Sequence, residues 1–370
     1  MRLVVFFSRG MSLRGWQTAG ILDRELTLYR GLLPHLEHLA FLTYGGKDEL
    51  GFAPHIPGIE ILPNRWRLPV NLYSVLAPFL HRRALADATI FKTNQINGAW
   101  CAVIAKRVFR KALVVRCGFL WSDFVARLHP GSWRRVAARH LERRAFRAAD
   151  RVIVATDADR DMVVVRDGID ARRVLVIANY VDTDLFRPMP EIAREPCRIT
   201  CVGRFDDQKN LAALIEAAQG VPGATLALIG DGPLRRGLEA FASRRGVNTL
   251  FLGRLAHADL PALLNRSAVF VLPSHYEGNP KALVEAMACG MPVVGTRVPG
   301  IREIVVHGET GYLCGTSAEE IKRALQDVLA DAALRHRISA GALAYARSHC
   351  SVRGAVEREL TLLRSIETGS

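Results

Sequence analysis

The chain has 370 residues and a formal net charge of +14 at pH 7, with 49% hydrophobic and 23% charged residues. This length exceeds the usual size of one hydrophobic core, so we expect two domains, and the ordinary composition excludes a largely disordered chain. No segment approaches the roughly 18 uninterrupted apolar residues of a membrane span, and the first apolar run is too short for a signal peptide, which together predict a cytoplasmic protein. The scattered cysteines include no C-x-x-C pair, so we expect neither disulfides nor a metal site built on them.

Short apolar runs in the first half of the chain alternate with longer segments that can form helices. These runs predict strands at residues 2–7, 38–44, 88–93 and 112–117. Nearly continuous Val, Leu and Ile runs of this length are typical of strands buried on both faces, as in parallel sheets covered by helices. The first half of the chain therefore predicts a doubly wound α/β domain.

Arginine is densest at residues 127–151, where apolar residues fall at helical spacing between the basic ones. The apolar positions are Trp133, Val136, Ala137, Leu141 and Ala145. One interpretation is a helix that lies on anionic lipid, and the other is an ordinary surface helix whose apolar stripe packs on the core. Nucleic acid is the weakest candidate partner, because aromatic interleaving and any recognition motif are missing.

The alternation of strands and helices returns after a stretch rich in proline and acidic turn residues, residues 179–196, which marks a domain boundary. The second set of predicted strands occupies residues 197–203, 224–230, 248–253, 268–274 and 292–296. A second doubly wound domain follows from this pattern. The predicted organisation is an N-terminal domain at 1–180, a linker at 181–196, a C-terminal domain at 197–350 and a last segment at 351–370.

The stretch "HYEGNPKALVEAMACGMPVVGT", residues 275–296, reads as the end of a strand, a helix and the next strand. Pro280 suits the first position of the helix and Gly290 suits its C-terminal cap. Glu277 then lies at the carboxyl end of a parallel strand, the edge at which open α/β sheets bind ligands. Glu285 lies inside the helix, so the two carboxylates would contact different parts of one ligand.

The start of this helix also favours an anion, because free backbone N–H groups and the positive end of the helix dipole meet there. A carboxylate beside an anion site suits a sugar phosphate, since carboxylate oxygens accept hydrogen bonds from sugar hydroxyls while backbone amides bind the phosphate. In the alternative interpretation of this stretch, Glu277 caps a turn and Glu285 is a solvated helix residue.

Two cations follow the first strand of the second half. The segment "VGRFDDQKN" places Arg204 and Lys209 in the loop that opens the next helix. Cations at this edge can neutralise a diphosphate, and arginine offers a planar fork suited to phosphate oxygens. The loops "GDGP" at 230–233 and "FLGR" at 251–254 follow the next two strands and open on the same edge.

The motifs of the second half together resemble the C-terminal domain of glycosyltransferase family 4. They are G-R-x(4)-K-N, G-x-G-P, F-x-G and E-G-x-P-x(4)-E-A-M-A-C-G-x-P-V-V, followed by "GIREIV" and "HGETGYL". The segments "ERRAFRAADRVIVATDADRD" and "VIANYVDTDLFRP" are similar to the crossing between the family's two domains. The resemblance implies the GT-B fold, with two Rossmann-like, doubly wound parallel-sheet domains facing across a cleft. It also implies a final helix packed back on the N-terminal domain.

The resemblance further implies sugar transfer from a nucleotide diphosphate with retention of anomeric configuration, without a metal or other cofactor. Glu277 would accept hydrogen bonds from donor-sugar hydroxyls, and Glu285 would bind the ribose hydroxyls. Arg204 and Lys209 would stabilise the departing diphosphate. The remaining donor contacts would be the amides of Gly278, Asn279, Lys281 and Ala282, with Arg254 and Leu255 toward the base and Gly15, in "SRGMSLRGWQ", toward the donor phosphates.

The chain departs from the family pattern in the N-terminal domain. Where many relatives have histidine after a strand, the sequence has "VVRCGFLWS" and "FKTNQINGAW", which place Arg116 and Asn94 in those neighbourhoods. Arginine is always protonated and only donates, so it cannot replace a neutral imidazole. Two interpretations of Arg116 follow, one as a contact to an anionic group of acceptor or donor and one as a structural residue.

The sequence therefore predicts a retaining glycosyltransferase with a nucleotide-sugar donor and a glycan or lipid-linked acceptor, in cell-surface polysaccharide synthesis. We expect no nucleic-acid partner, and a cytoplasmic location that includes the inner face of the cell membrane. The alternatives are an inactive nucleotide-sugar-binding protein and a GT-B epimerase. A dinucleotide oxidoreductase is disfavoured, because no G-x-G-x-x-G follows the first strand. The sequence does not indicate an oligomeric state.

Overall fold

The computed structural model describes residues 1–128 and 132–368, so part of the predicted basic helix, residues 129–131, lies outside the described residues. The chain divides into two compact units. The first unit comprises residues 1–178 and 355–370, and the second comprises residues 179–354. The segment predicted as a linker, 181–196, belongs to the second unit, where Phe186 is fully buried.

The described residues of the first unit form a seven-stranded sheet in which neighbouring strands are parallel. Its strands are β1 Arg2–Phe6, β2 His38–Leu42, β3 Ile59–Leu62, β4 Ile90–Thr93, β5 Ala112–Cys117, β6 Arg151–Val154 and β7 Val174–Val176. Their order in the sheet is β3-β2-β1-β4-β5-β6-β7. The order reverses between β1 and β4, which makes that pair the switch point of a doubly wound sheet. Each predicted strand of this half is confirmed, and β3, β6 and β7 are additional.

Helices cover both faces of this sheet. They are α1 Leu13–Thr18, α2 Leu22–Leu32, α3 Val70–Leu80, α4 Arg82–Asp87, α5 Ala99–Phe109, α6 Trp121–Leu128, α7 Trp133–Ala148 and α8 Asp157–Asp161. The helices α3, α5 and α7 share one apolar cluster with the sheet, to which they contribute Tyr73, Ala102 and Phe146 among others. These three helices therefore cover the same face of the sheet.

The helix α7 does not bury its whole apolar stripe, as one of the two interpretations of the sequence required. Trp133 and Val136 are 75% and 71% exposed, whereas Ala145 and Phe146 are buried. The apolar residues at the start of α7 thus lie outside the core, among the arginines of the same helix. The interpretation in which the whole apolar stripe packs on the core is wrong for these two residues.

The described part of the second unit contains a six-stranded parallel sheet. Its strands are β8 Glu195–Val202, β9 Thr225–Ile229, β10 Thr249–Gly253, β11 Ser267–Leu272, β12 Val293–Thr296 and β13 Tyr312–Cys314. Its helices are α9 Leu211–Gln219, α10 Arg235–Arg245, α11 Leu260–Arg266, α12 Lys281–Ala288, α13 Ala318–Ala330 and α14 Ala332–His349. The strand order β10-β9-β8-β11-β12-β13 repeats the pattern of the first sheet, with the switch point between β8 and β11. The predicted strands of this half are confirmed and β13 is additional.

The last helix, α15 Val352–Glu367, belongs to the first unit from residue 355 onward. Its Glu359 is 1% exposed and pairs with Lys92 of β4 and Arg116 of β5. The end of the chain is therefore held to the first sheet by a buried ion cluster as well as by apolar contacts.

Candidate functional site

The helix α12 begins and ends where the local sequence dictates. Pro280 is its N-cap rather than its first helical residue, so the helix starts at Lys281. At the other end, Gly290 has φ +65°, its N–H donates to the carbonyl of Met287, and the N–H of Met291 donates to the carbonyl of Ala286. This is the Schellman arrangement that a glycine after a helix favours. The helix and the turn before it are thus fixed at both ends.

The loops after β8 and β11 meet at the switch point of the second sheet. The first loop carries Arg204 and Lys209, and the second carries Glu277. Two backbone-directed hydrogen bonds join them, from the N–H of His275 to the carbonyl of Gln208 at 2.9 Å and from Gln208 Nε2 to the carbonyl of Tyr276 at 2.9 Å. This is the position at which open α/β sheets bind ligands.

The carboxylate of Glu277 lies at the centre of this junction. It pairs with Lys209 Nζ, accepts a hydrogen bond from Ser274 Oγ at 2.6 Å and lies 3.4 Å from Gln208 Nε2. The side chains of Lys209 and Glu277 are only 15% and 7% exposed. Low exposure strengthens charge interactions, so a cation and a carboxylate are held here in a fixed arrangement.

The loop of Arg204 packs closely on the loop after β9. The N–H of Phe205 donates to the carbonyl of Asp231 at 3.0 Å. A Cβ atom at Gly230 would lie 1.8 Å from the carbonyl oxygen of Gly203, so only glycine fits at this position. The side chain of Arg204 remains 72% exposed, with its Nε 3.6 Å from Asp206 Oδ2. Arg204 is therefore anchored through its backbone while its guanidinium reaches solvent.

The turn that precedes α12 is tied to the start of the second unit. Asn179 Nδ2 donates to the carbonyl of Asn279 at 2.8 Å, and Lys281 Nζ lies 5.1 Å from the ring centre of Tyr180. Gly278 is exposed and Ala282 is half-buried. The predicted amide contacts thus lie together in one turn, beside Glu277.

Glu285 lies inside α12 and is 3% exposed, so the alternative of a solvated helix residue is wrong. Its Oε1 lies 3.1 Å from Nε2 of His257, and the His257 ring packs 4.9 Å from the ring of Phe186. Burial, with the charge of Glu285, raises the pKa of the neighbouring Cys289 thiol to about 12, which keeps it protonated. His257 was not among the residues predicted from the sequence; its place after β10, in the loop of Arg254, was the signal that could have identified it.

The predicted base contacts lie in that same loop. Arg254 is exposed, and Leu255 is half-buried against the apolar cluster that includes Leu283. All the predicted residues of the second unit therefore lie in loops at one edge of the sheet or in the helix that begins at that edge.

In the first unit, Gly15 lies in α1 beside the switch point of that sheet. The N–H of Gly15 donates to Ser12 Oγ at 2.9 Å, and Ser12 is the N-cap of the helix. The fully buried Glu49 accepts hydrogen bonds from the N–H groups of Leu13 at 3.1 Å and Arg14 at 2.9 Å. Gly15 thus lies in a helix rather than in the predicted loop, and the first turn of that helix is held by a buried carboxylate that was not predicted from the sequence.

Asn94 and Arg116 belong to one buried polar network. Tyr29 Oη donates to Asn94 Oδ1 at 2.8 Å, and the Tyr29 ring centre lies 5.1 Å from Lys92 Nζ. Lys92 and Arg116 both pair with Glu359. Burial lowers the pKa of Lys92, and the Glu359 carboxylate opposes that shift. Arg116 is 5% exposed, so these contacts support the structural interpretation of this residue.

No group of three or more His, Cys, Asp or Glu side chains in residues 1–128 and 132–368 is arranged to hold a metal ion. In the same ranges, no helix combines the length and the apolar character needed to cross a bilayer.

The two parallel sheets define an α/β protein, and the two families whose models match the chain are both glycosyltransferase families. The family "Glycosyltransferase Family 4" matches residues 27–185, and "Glycosyl transferases group 1" matches residues 182–344. The chain thus consists of two glycosyltransferase domains, which the two models together match over residues 27–344, and it has the GT-B architecture.

Curated relatives match about half of the chain. Glycogen synthase of Mycobacterium tuberculosis (strain CDC 1551 / Oshkosh) is 34% identical over 184 residues, which are 48% of this chain and 42% of that protein. D-inositol 3-phosphate glycosyltransferase of Mycobacterium bovis (strain BCG / Pasteur 1173P2) is 31% identical over 188 residues, 46% of this chain and 39% of that protein. The chain thus spans about two fifths of the length of these relatives.

Solved structures match over the whole chain. Anabaena Alr3699/HepE in complex with UDP has a TM-score of 0.80 at 21% identity and covers 99% of this chain and 100% of that one. Sucrose-phosphate synthase (tll1590) from Thermosynechococcus elongatus has a TM-score of 0.81 at 20% identity, with 100% of both chains covered. These similarities establish the fold.

Proposed function

We propose that the protein is a retaining, metal-independent glycosyltransferase that moves a sugar from a nucleotide-diphosphate donor to a glycan or lipid-linked acceptor in cell-surface polysaccharide synthesis. The observation that carries this proposal is the Lys209–Glu277 ion pair at the switch point of the second sheet. It joins a cation suited to a diphosphate with a carboxylate suited to sugar hydroxyls at the ligand-binding edge.

The donor would exchange contacts with this pair when it binds. The donor diphosphate forms an ion pair with the ammonium group of Lys209, and a sugar hydroxyl donates a hydrogen bond to Glu277. The hydrogen bond from Ser274 to Glu277 is kept. The negative charge on the leaving diphosphate grows toward the transition state, so Lys209 and Arg204 stabilise the transition state more than the bound donor. The amides before α12 add to this stabilisation at the positive end of the helix.

The nucleoside end of the donor would lie toward Glu285. The buried carboxylate of Glu285 can accept hydrogen bonds from both ribose hydroxyls, while His257 stays in contact with Oε1 of the same carboxylate. Arg254 and Leu255 then face the base. The structure of Alr3699/HepE in complex with UDP-glucose supports a nucleotide-diphosphate sugar as the class of donor.

The acceptor proposal rests on the charge of the protein. A lipid-linked glycan lies at an anionic leaflet, and a net charge of +14 with six arginines in α7 favours such a surface. We therefore include peripheral association with the inner face of the cell membrane in the proposed function.

The test is a panel of nucleotide sugars that differ in base and sugar, assayed for release of nucleoside diphosphate and for transfer of the sugar. We expect at least one donor to be turned over, and Glu277→Gln to lower that turnover by about a hundredfold. Binding without any release would indicate an inactive nucleotide-sugar-binding protein. Conversion of the sugar to its epimer would indicate a GT-B epimerase.

A further inference from the structure

A stripe of exposed apolar side chains runs along α3 on the side away from the sheet. Leu72, Val75 and Phe79 are 47%, 47% and 52% exposed, and their spacing places them on one face of the helix. The opposite face carries Tyr73 and Ala77, which are fully buried. The helix α3 is thus apolar toward the core and toward solvent, whereas the outer face of a surface helix is usually polar.

Cationic side chains lie at both ends of this stripe. Arg65 precedes α3, and its guanidinium lies 4.5 Å from the ring centre of the partly exposed Trp66. Arg67 also precedes the helix, and Arg82 and Arg83 follow it, all three exposed. The stripe therefore combines an apolar centre with positively charged ends.

The same features continue across α5 and α7, which cover the same face of the sheet as α3. Exposed apolar residues on these two helices are Val108, Trp133 and Val136, at 45%, 75% and 71%. Their exposed arginines are Arg107, Arg134, Arg135, Arg139, Arg143, Arg144 and Arg147. Together the three helices contain one acidic residue, Glu142, and it is buried. We call this surface the α3–α5–α7 face.

We propose that the α3–α5–α7 face docks on a bilayer that contains anionic lipid, with Leu72, Val75 and Phe79 entering the headgroup region while the arginines contact lipid phosphates. A bilayer surface accepts apolar side chains and cations together. A second copy of the chain is a poor occupant, because two arginine-rich faces would repel each other. This inference rests on the proposed peripheral association and names the surface that would carry it. It does not depend on the transfer chemistry.

The first test compares two triple variants for binding to vesicles of phosphatidylcholine and phosphatidylglycerol at 7:3. One carries Leu72→Gln, Val75→Gln and Phe79→Gln. The control carries Leu50→Gln, Leu250→Gln and Val306→Gln, at positions 52%, 38% and 51% exposed on other surfaces. The α3 variant should bind at least about tenfold more weakly than wild type, because three apolar side chains no longer leave water, and the control should bind as wild type does.

The second test reports insertion directly and does not depend on loss of binding. An environment-sensitive fluorophore on Val75→Cys should shift to the blue when these vesicles are added, whereas the same label on Leu50→Cys should not. Both are made with Cys197→Ser, because the six other cysteines are buried. Charge reversal of Arg134, Arg135, Arg143 and Arg144 should release the protein at physiological salt, and pure phosphatidylcholine vesicles should not retain it.

Wild-type strength of binding in the α3 variant, or an unshifted label at Val75, would overturn the inference. So would failure of the wild type to bind these vesicles at low salt, and so would a dimer that the α3 variant abolishes. Donor hydrolysis without vesicles should be the same in wild type and in both triple variants. A failure of docking with intact hydrolysis is therefore distinguishable from a failure of the proposed transfer.

Discussion

The carboxylates of Glu277 and Glu285 lie near each other in sequence but have different surroundings. Glu277 meets Lys209 and Ser274 at the sheet edge, whereas Glu285 meets His257 inside the helix. If Glu285 holds ribose, Glu285→Gln should raise the KM for the donor by roughly tenfold with little change in kcat. Glu277→Gln should lower kcat by about a hundredfold, since the proposed contact of Glu277 is to the reacting sugar. Steady-state kinetics of both variants check this, and wild-type kinetics in both would refute the assignment.

His257 is a positioning residue in this account, because it acts on the donor through Glu285. His257→Ala should raise the donor KM several-fold and leave kcat near the wild-type value, and His257→Gln should restore part of the loss. The double variant with Glu285→Gln should be no weaker than Glu285→Gln alone, since the two residues serve one contact. Additive effects on KM would show that His257 acts elsewhere.

His81 gives a pH-dependent contribution to stability. Burial, and then the charge of Arg65, lower the pKa of His81 from 6.5 to about 4, and its Nε2 lies 2.8 Å from Tyr73 Oη. A neutral His81 in the fold contributes stability above pH 6.5 that is lost as the pH falls from 6.5 toward 4. At pH 5 the loss is about 2 kcal/mol. Urea unfolding at pH 7 and pH 5 should therefore show a smaller loss in His81→Gln than in wild type, and equal losses would contradict the shift.

At the scale of elements, the packing of α15 on the first sheet depends on the buried side chain of Glu359. Glu359 neutralises Lys92 and Arg116, so Glu359→Gln leaves two buried cations without their counter-ion. The expected cost is about 3–5 kcal/mol in the free energy of unfolding. The exposed Glu357→Gln on the same helix should change stability by less than about 0.5 kcal/mol. Urea unfolding of the two variants measures the difference, and similar stabilities would show that the cluster contributes little.

The sequence predicts elements well where the signal is local. The helix α12 is an example, because Pro280 and Gly290 mark its two ends within a short stretch. The strands β3, β6, β7 and β13 were not predicted; each has only three or four residues, too few to set an apolar run apart from its surroundings. Short strands of this kind are defined by their neighbours in the sheet more than by their own residues.

Contacts across long sequence separations account for most of what the sequence does not predict in the site. Lys92 and Glu359 are separated by 267 residues, so no motif indicates their pairing. His257 and Glu285 are separated by 28 residues and lie on different elements. By contrast, the edge that gathers Arg204, Lys209 and Glu277 follows from strand order alone, because the loops after parallel strands open on one side.

At the scale of the whole molecule, the proposed transfer requires the chain to stabilise the charge of a departing nucleoside diphosphate. That group carries about two to three negative charges, which enzymes of other folds often neutralise with Mg²⁺ or Mn²⁺ held by carboxylates. Arg204, Lys209 and the start of α12 can supply the same stabilisation. We therefore expect Arg204→Ala and Lys209→Ala each to lower kcat by about a hundredfold or more, and the double variant to cost less than the product of the two.

The most direct test of this account is the release of nucleoside diphosphate, with sugar transfer, by wild type and Lys209→Ala in the presence of EDTA. If fixed cations stabilise the leaving diphosphate, wild-type turnover should survive chelation, and turnover by Lys209→Ala should be lower by about a hundredfold under the same conditions. The opposite result is turnover that vanishes with EDTA and returns with Mn²⁺, with Asp206→Asn and Asp207→Asn equally inactive. That result would contradict stabilisation by fixed cations and would show that a metal held by those aspartates binds the diphosphate.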